Sequence, residues 1–390
     1  MLDMLSDHME DIYNEHAGVD PQNMLNSALR TYSGAIDQLH HPANIPDIDH
    51  HDVFKLFQRK SECKAGGFDG WKTKELQALP PCGWVGFTFV MRLAEAYGVW
   101  PKVLRMVAVT AISKGAPISS PQNVRAIGVS SAIYGIWSSL RFRQLAPWMA
   151  QVFPNNLVGG IPNRQAFESE LSLSLDFHEN NFRDDPIAVF IDRTKCFDVI
   201  LPELAMCLAS SLGIPDQIFR ATLAFYHHQV KIFKLGNAYG RKVMGTNAAV
   251  QGCSMSIIMV NSMYAILSAH LQRLYPKVSS ACFIDDVKIW AKGLFSSDLE
   301  KAFNELVAYD TAVGQKVNFD KTFLLARKTK KAEEFLRRVR VKVSRKTVAK
   351  SLGFTHRVDR LKSAAFQNSR VESAFRSLKK LSCLDRKSVV

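Results

Sequence analysis

The chain has 390 residues, 47% of them hydrophobic, and a formal net charge of +14. That length accommodates two or three domains or subdomains, and no apolar run reaches the roughly 18–20 residues that span a bilayer. Seven scattered cysteines with no Cys-x-x-Cys pair exclude a disulfide framework or a zinc site. The acidic start Met1-Leu2-Asp3-Met4-Leu5-Ser6-Asp7 lacks the basic region of a secretion signal, so the expected compartment is the nucleus or the cytoplasm.

Residues 1–50 carry nine Asp/Glu against one Arg and five of the eleven histidines. They read as a polar linker or a partly helical extension. His40-His41 and His50-His51 lack the Cys partners or regular His spacing of a metal site. Residues 52–80 look helical around the turn Gly66-Gly67-Phe68-Asp69-Gly70-Trp71, and 84–100 look like an apolar helix stopping before Pro101. A strand is expected at 107–114. One long amphipathic helix is expected over 131–153, with Trp137, Leu140, Phe142 and Leu145 inside.

The apolar run 186–191 predicts a buried strand that ends at Asp192. Helices follow at 202–212 and 215–228, then a hairpin over 231–246 turning across Gly236-Asn237-Ala238-Tyr239-Gly240. Residues 254–275 form a long apolar helix opening with Ser254, 281–291 a second hairpin, and 297–313 another helix, with strand and turn to 326. There are no repeats and no low-complexity tract. Strands and helices alternate with hairpins, so the expected class is α+β with an antiparallel sheet. The last segment, 327–390, holds twenty Lys/Arg and five Asp/Glu, a net of +15. Its basic runs lie within foldable sequence, which favours a structured polyanion-binding face.

The chemistry concentrates at Phe283-Ile284-Asp285-Asp286-Val287-Lys288-Ile289-Trp290. Two adjacent carboxylates between apolar runs read as the tip of a hairpin, and they repel unless a cation sits between them. Mg²⁺ suits such a pair because it takes hard oxygen ligands and shares them with phosphates. If Asp192 ends a neighbouring strand, the carboxylates converge at one sheet edge and can hold two divalent ions about 3.5–4 Å apart.

These residues resemble the motifs of reverse transcriptases, in the family's order across roughly residues 60–360. Asp192-Arg193-Thr194-Lys195-Cys196-Phe197-Asp198 is similar to the first palm motif, and Gln251-Gly252-Cys253-Ser254-Met255-Ser256 to the second. Phe283-Ile284-Asp285-Asp286 is similar to the third, and Gly314-Gln315-Lys316-Val317-Asn318-Phe319-Asp320-Lys321-Thr322 to the next palm element. Leu352-Gly353-Phe354 resembles the primer-gripping hairpin. Ile112-Ser113-Lys114 and Arg125-Ala126-Ile127 resemble the two finger motifs, and Asn163-Arg164-Gln165-Ala166-Phe167 a further landmark. The early Gly-x-Asp-Gly element and the Phe before x-Asp-Asp lean toward non-LTR (LINE-type) retrotransposon and group II intron enzymes. Three positions depart from the family: Ser254 and Ala126 stand where proline is usual, and Arg193 sits beside an expected metal ligand.

The resemblance implies a right-hand polymerase: an acidic extension at 1–51, fingers at 52–185, palm with primer-grip hairpin at 186–355, and the start of a shortened thumb at 356–390. It implies DNA synthesis on an RNA template from a 3′-hydroxyl primer, with dNTP substrates and two Mg²⁺ ions, Mn²⁺ serving as a substitute. By the same resemblance Asp192, Asp285 and Asp286 are catalytic and hold metal. Lys114 and Arg125 clamp the triphosphate, Phe197 packs under the sugar, and Gln251 and Gly252 line the nucleotide site. Lys321 is a candidate general acid. Arg164, Arg337, Arg338, Arg340 and Gly353 contact nucleic acid. Three rivals share the motif set: a non-catalytic, maturase-like RNA-binding protein, a degenerate relic, and an RNA-dependent RNA polymerase. No membrane role is expected, and oligomeric state is not legible.

Overall fold

The acidic N-terminal stretch folds as packed helices, α1 (Leu2–Tyr13), α2 (Pro21–Thr31) and α3 (Ser33–Leu39). Leu5, Met9 and Tyr13 recur at four-residue spacing along α1 and are buried, the stripe that pins a helix to a core. The acids outside that stripe find partners: Asp7 and Glu10 pair with Arg241, and Glu15 just beyond the helix pairs with Lys316. The linker reading therefore fails. Charge totals report how many acids a segment has, not that they share one face.

The computed structural model describes residues 2–60, 66–114, 120–179, 186–227, 229–327, 329–339, 341, 343–352 and 354–358. After α4 (His50–Gln58) and α5 (Thr73–Gln77) comes α6 (Pro81–Tyr97), which starts on a proline and stops at Gly98, φ 64°. That is the usual asymmetry of helix ends. Strands β1 (Met106–Ser113) and β2 (Val124–Val129) form an antiparallel pair. The single helix expected over 131–153 is two, α7 (Ala132–Gln144) and α8 (Ala146–Val152). Pro147 lies in the first turn of α8; it has no N–H to continue α7 and its ring crowds the preceding turn, so the chain restarts. Glu95 of α6 and Arg141 of α7 lock these helices together in a buried, two-pronged ion pair.

Next come α9 (Ala166–Glu179), β3 (Ile187–Ile191), α10 (Cys196–Val199), α11 (Pro202–Ser211) and α12 (Asp216–Tyr226). Strands β4 (Val230–Leu235) and β5 (Ala238–Val243) turn through Gly236-Asn237 alone. The turn is tighter than the five residues expected because Gly236 supplies φ 60° and a two-residue hairpin fits strand twist best. Then follow α13 (Ser254–Leu274), β6 (Ser279–Phe283), β7 (Asp286–Ala291), α14 (Ser296–Ala312), β8 (Phe323–Leu325), α15 (Lys330–Arg338), β9 (Ser344–Lys346), β10 (Val348–Ser351) and β11 (Phe354–Arg357).

One sheet has the order β6-β7-β3-β8-β9, a second β2-β1-β4-β5, and β10-β11 form a ribbon. The class is α+β, as expected, with mostly antiparallel pairs. The pairs β1–β4 and β8–β9 are parallel, a departure from an all-antiparallel sheet that needs long crossovers between the paired strands. The long helix α13 is packed by α3, α7, α11, α14 and β6. Its 21 residues are long and apolar enough to cross a membrane, which corrects the expectation that no apolar run reaches that length, but 89% of its apolar window is buried inside the protein. A helix apolar on every face is a core helix when its neighbours are protein.

Candidate active site

Strand β3 supplies the frame. Its five residues are all buried because it lies between β7 and β8. It runs antiparallel to β7 with Ile191 opposite Val287, so Asp192, the next residue, ends beside Asp286. Phe283 pairs with Asp286 across the β6–β7 hairpin. The turn is therefore Ile284-Asp285 rather than Asp285-Asp286, and Asp286 is the first strand residue. The three carboxylates gather at one end of one sheet.

The backbone around them is held from several sides. The Asp192 amide donates to Thr322 Oγ1 at 3.2 Å, and the Asn318 amide donates to the Asp192 carbonyl at 2.8 Å. Ile284 adopts φ 59°, uncommon for a β-branched residue and a mark of local strain. Gly159 backs the turn: a Cβ there would lie 2.4 Å from the Ile284 amide nitrogen and 2.8 Å from the Phe283 carbonyl carbon. Both contacts are with backbone, which cannot swing aside. Gly159→Ala is thus expected to displace the turn, lowering the turnover number more than primer–template affinity. Steady-state kinetics beside a binding titration would check this, and unchanged turnover would show that the turn yields.

The electrostatics fit a cation. Partial burial pushes the Asp192 carboxyl above its ordinary range; Lys321 draws it back and Asp285 adds to the rise. Burial, then the negative charges of Asp285 and Asp192, push Asp286 up to about 6, with Lys288 opposing. Lys321 Nζ lies 3.7 Å from Asp192 Oδ2. Among the described residues, the group of three ligating side chains with all atoms within 4.8 Å is Asp49, His50 and His51, where exposed Asp49 caps the start of α4. The sheet-end carboxylates are set wider. An open set of hard oxygens suits divalent ions that complete their shells with substrate phosphates.

The β1–β2 hairpin carries the two basic residues expected to hold the triphosphate. Lys114 follows β1, and Arg125 lies exposed on β2 opposite Ile112. Lys114, Lys195 and Lys231 all act on Asp198, whose carboxyl burial pushes up to about 6. The finger lysine is therefore near the segment that follows Asp192. Phe197 is half-buried against the core, and its carbonyl accepts from the Ala249 amide at 2.8 Å. Gln251 and Gly252 form the turn before α13. The Gln251 carbonyl accepts from Gly128 of β2 at 3.1 Å. Gly252 has φ 107° and approaches the Gly128 carbonyl so closely that a Cβ would lie 3.3 Å away, which glycine alone tolerates. That turn fastens the start of α13 to β2.

Other expected residues lie elsewhere. Arg164 donates to the carbonyls of Pro154, Leu157 and Phe153, so its guanidinium caps the loop after α8. Arg338 pairs with Glu334 and Glu300, and Arg337 donates to the Glu333 carbonyl, so α15 is tied to its own turn and to α14. Arg340, Gly353 and most of the expected thumb lie outside the described residues. The sequence reading also missed Glu170 of α9, which bonds Lys288 of β7, Ser351 of β10 and His356 of β11. This buried hub fastens the terminal hairpin to the palm sheet. Beside it, a cleft of about 220 Å³ is lined by Asp192, Asp286, Lys288, Lys321, Lys350 and Ser351.

Carboxylates at a strand end and a turn, under a basic hairpin, are the equipment of a nucleotidyl-transfer enzyme. The family model for reverse transcriptase (RNA-dependent DNA polymerase) matches residues 112–356. That span is more than half of the chain, which belongs to the reverse transcriptase family and is thereby an RNA-directed DNA polymerase. No curated protein matches it.

Proposed function

We propose that this chain extends a DNA primer on an RNA template, as part of a retroelement of the non-LTR or group II intron type. The observation that carries the reading is the meeting of Asp192, Asp285 and Asp286 at one end of the β6-β7-β3 sheet, inside the matched span. The Phe283-Ile284-Asp285-Asp286 element and the early glycine turn support the retroelement lineage. The subdomains follow: fingers at 52–185, palm at 186–355, thumb beyond.

Asp192 and Asp285 would hold the metal ions, with Asp286 in support. Bound there, two Mg²⁺ ions, or Mn²⁺ in their place, would supply the charge that activates the primer 3′-hydroxyl and neutralises the leaving pyrophosphate. Lys114 and Arg125 orient the triphosphate, Arg125 by two parallel hydrogen bonds. Lys321, within reach of Asp192, delivers a proton to the pyrophosphate. Gln251 and Gly252 shape the floor on which the nucleotide sits. The +15 segment at 327–390 tracks the template–primer backbone through salt-sensitive contacts.

Phe197 governs the sugar. Its ring lies just past Asp192, where it can sit flat beneath a deoxyribose. A 2′-hydroxyl would strike it or lose its water without gaining a partner. Phe197→Ala is expected to lower the dNTP-over-rNTP ratio of kcat/KM by about tenfold or more, with a modest loss on dNTPs. A ratio that does not move would make Phe197 a core residue only.

The test of the function is primer extension: purified chain, poly(rA)/oligo(dT), dTTP and Mg²⁺, repeated with Mn²⁺. Incorporation is expected. Tight binding without incorporation under either metal would overturn the reading in favour of an RNA-binding, maturase-like protein. Equal use of UTP would favour an RNA polymerase.

A further inference from the structure

Arg193 follows Asp192 directly, and a cation there ought to repel metal. Alternation along the strand sends its side chain to the other face, where it is fully enclosed. Its Nε and Nη2 donate to Asp310 Oδ2 and Oδ1 of α14 at 2.8 and 3.1 Å. Its guanidinium carbon lies 4.3 Å from the ring centroid of Tyr264 on α13. The remaining nitrogen, Nη1, donates to the backbone carbonyl of Asp285 at 3.3 Å. Every face of the group has an assigned partner, and one of them is the turn that carries an expected metal ligand.

We infer that Arg193 is a positioning residue for that turn. Asp310 and Tyr264 fix the guanidinium to the two long helices beneath the sheet, and the guanidinium fixes the Asp285 carbonyl. The turn is then gripped between Gly159 on one side and Arg193 on the other. That grip is what keeps Ile284 at φ 59°, a conformation an unsupported turn would leave. Asp310 cancels the charge of Arg193, so the effect on the site is geometric: it sets where the Asp285 carboxylate points. Groups that orient metal ligands in this way typically change metal affinity or activity by about 10- to 100-fold when removed.

The inference rests on reading Asp285 as a metal ligand, and the experiment separates the two. The main variant is Arg193→Met with Asp310→Leu, which keeps net charge and puts apolar side chains in place of the pair; replacing a buried ion pair by apolar residues is often neutral for folding. Mn²⁺ binding is read by calorimetry or electron paramagnetic resonance, alongside single-nucleotide incorporation on a primer–template. The double variant is expected to fold, to bind primer–template as the wild type does, to bind Mn²⁺ about tenfold more weakly, and to lose kcat rather than raise KM for dNTP. If the double variant does not fold, Arg193→Lys serves instead: it keeps the pair with Asp310 but its single head cannot also reach Asp285, and the same weakening of Mn²⁺ binding is expected. Wild-type Mn²⁺ affinity and kcat in a folded variant would overturn the inference. Asp285→Asn run in parallel isolates the underlying reading: if it retains wild-type Mn²⁺ binding and rate, Asp285 is no ligand, whatever Arg193 does.

Discussion

Asp285→Asn is expected to leave a folded protein that binds primer–template normally and incorporates nucleotides at least about a thousandfold more slowly. Asp285 is exposed in a two-residue turn, and substitutions at such positions usually change stability by less than about 0.5 kcal/mol. The transition state is another matter, because its charge must be compensated by the cations this carboxylate is proposed to hold. Asparagine keeps the shape and removes the charge. Asp192→Asn should behave alike, since Asp192 faces the same point from the neighbouring strand. Single-turnover incorporation, with binding followed separately by fluorescence anisotropy, makes the measurement. An Asp285→Asn protein retaining a tenth of the wild-type rate would move the metal site elsewhere.

The second large effect is on folding. Arg141 is completely buried and Glu95 nearly so, and together they satisfy one another, the Trp137 indole, the Pro46 carbonyl and Gln144. Arg141→Met strands the Glu95 carboxylate in apolar surroundings. Breaking a buried pair by removing one partner costs about 3–5 kcal/mol, a large share of what holds a domain together. Urea unfolding should show the midpoint fall sharply. Arg241→Met is the comparison: it loses two carboxylate partners, Asp7 and Glu10, but in an exposed setting where solvent screens them, and its midpoint should barely move. Equal shifts in the two variants would mean that burial does not decide the matter here.

Local pattern was enough to read much of this molecule. The five-residue apolar run of β3, the length of α13 and the doublet at Asp285-Asp286 are properties of contiguous sequence, and each element formed near its expected place. What could not be read was pairing across distance. Arg193 finds Asp310 and Glu170 finds Lys288, each more than a hundred residues away, and no periodicity in either segment announces the partner. One signal was present: Asp310 sits on the buried face of α14 with Leu306 and Tyr309, and an acid on an apolar face asks for a buried base. Arg164 is another such case: nothing in its own motif announces the carbonyls of Pro154, Leu157 and Phe153 that it caps. That the N-terminal helices pack into the core was not legible because composition averages over faces that packing keeps separate.

The enclosure of α13 has a consequence for how the protein is made. On one flank it rests on α3, α7 and α11, all synthesised before it; on the other it is covered by β6 and α14, which come later. A nascent chain released only as far as Leu274 therefore presents a long apolar helix with one side bare. At about 5–20 residues per second, the ribosome leaves that side open for seconds before Ala312 emerges. During that interval the segment has the length and hydropathy that chaperones and membrane-targeting factors recognise, and its commitment to the interior depends on α14 arriving in time.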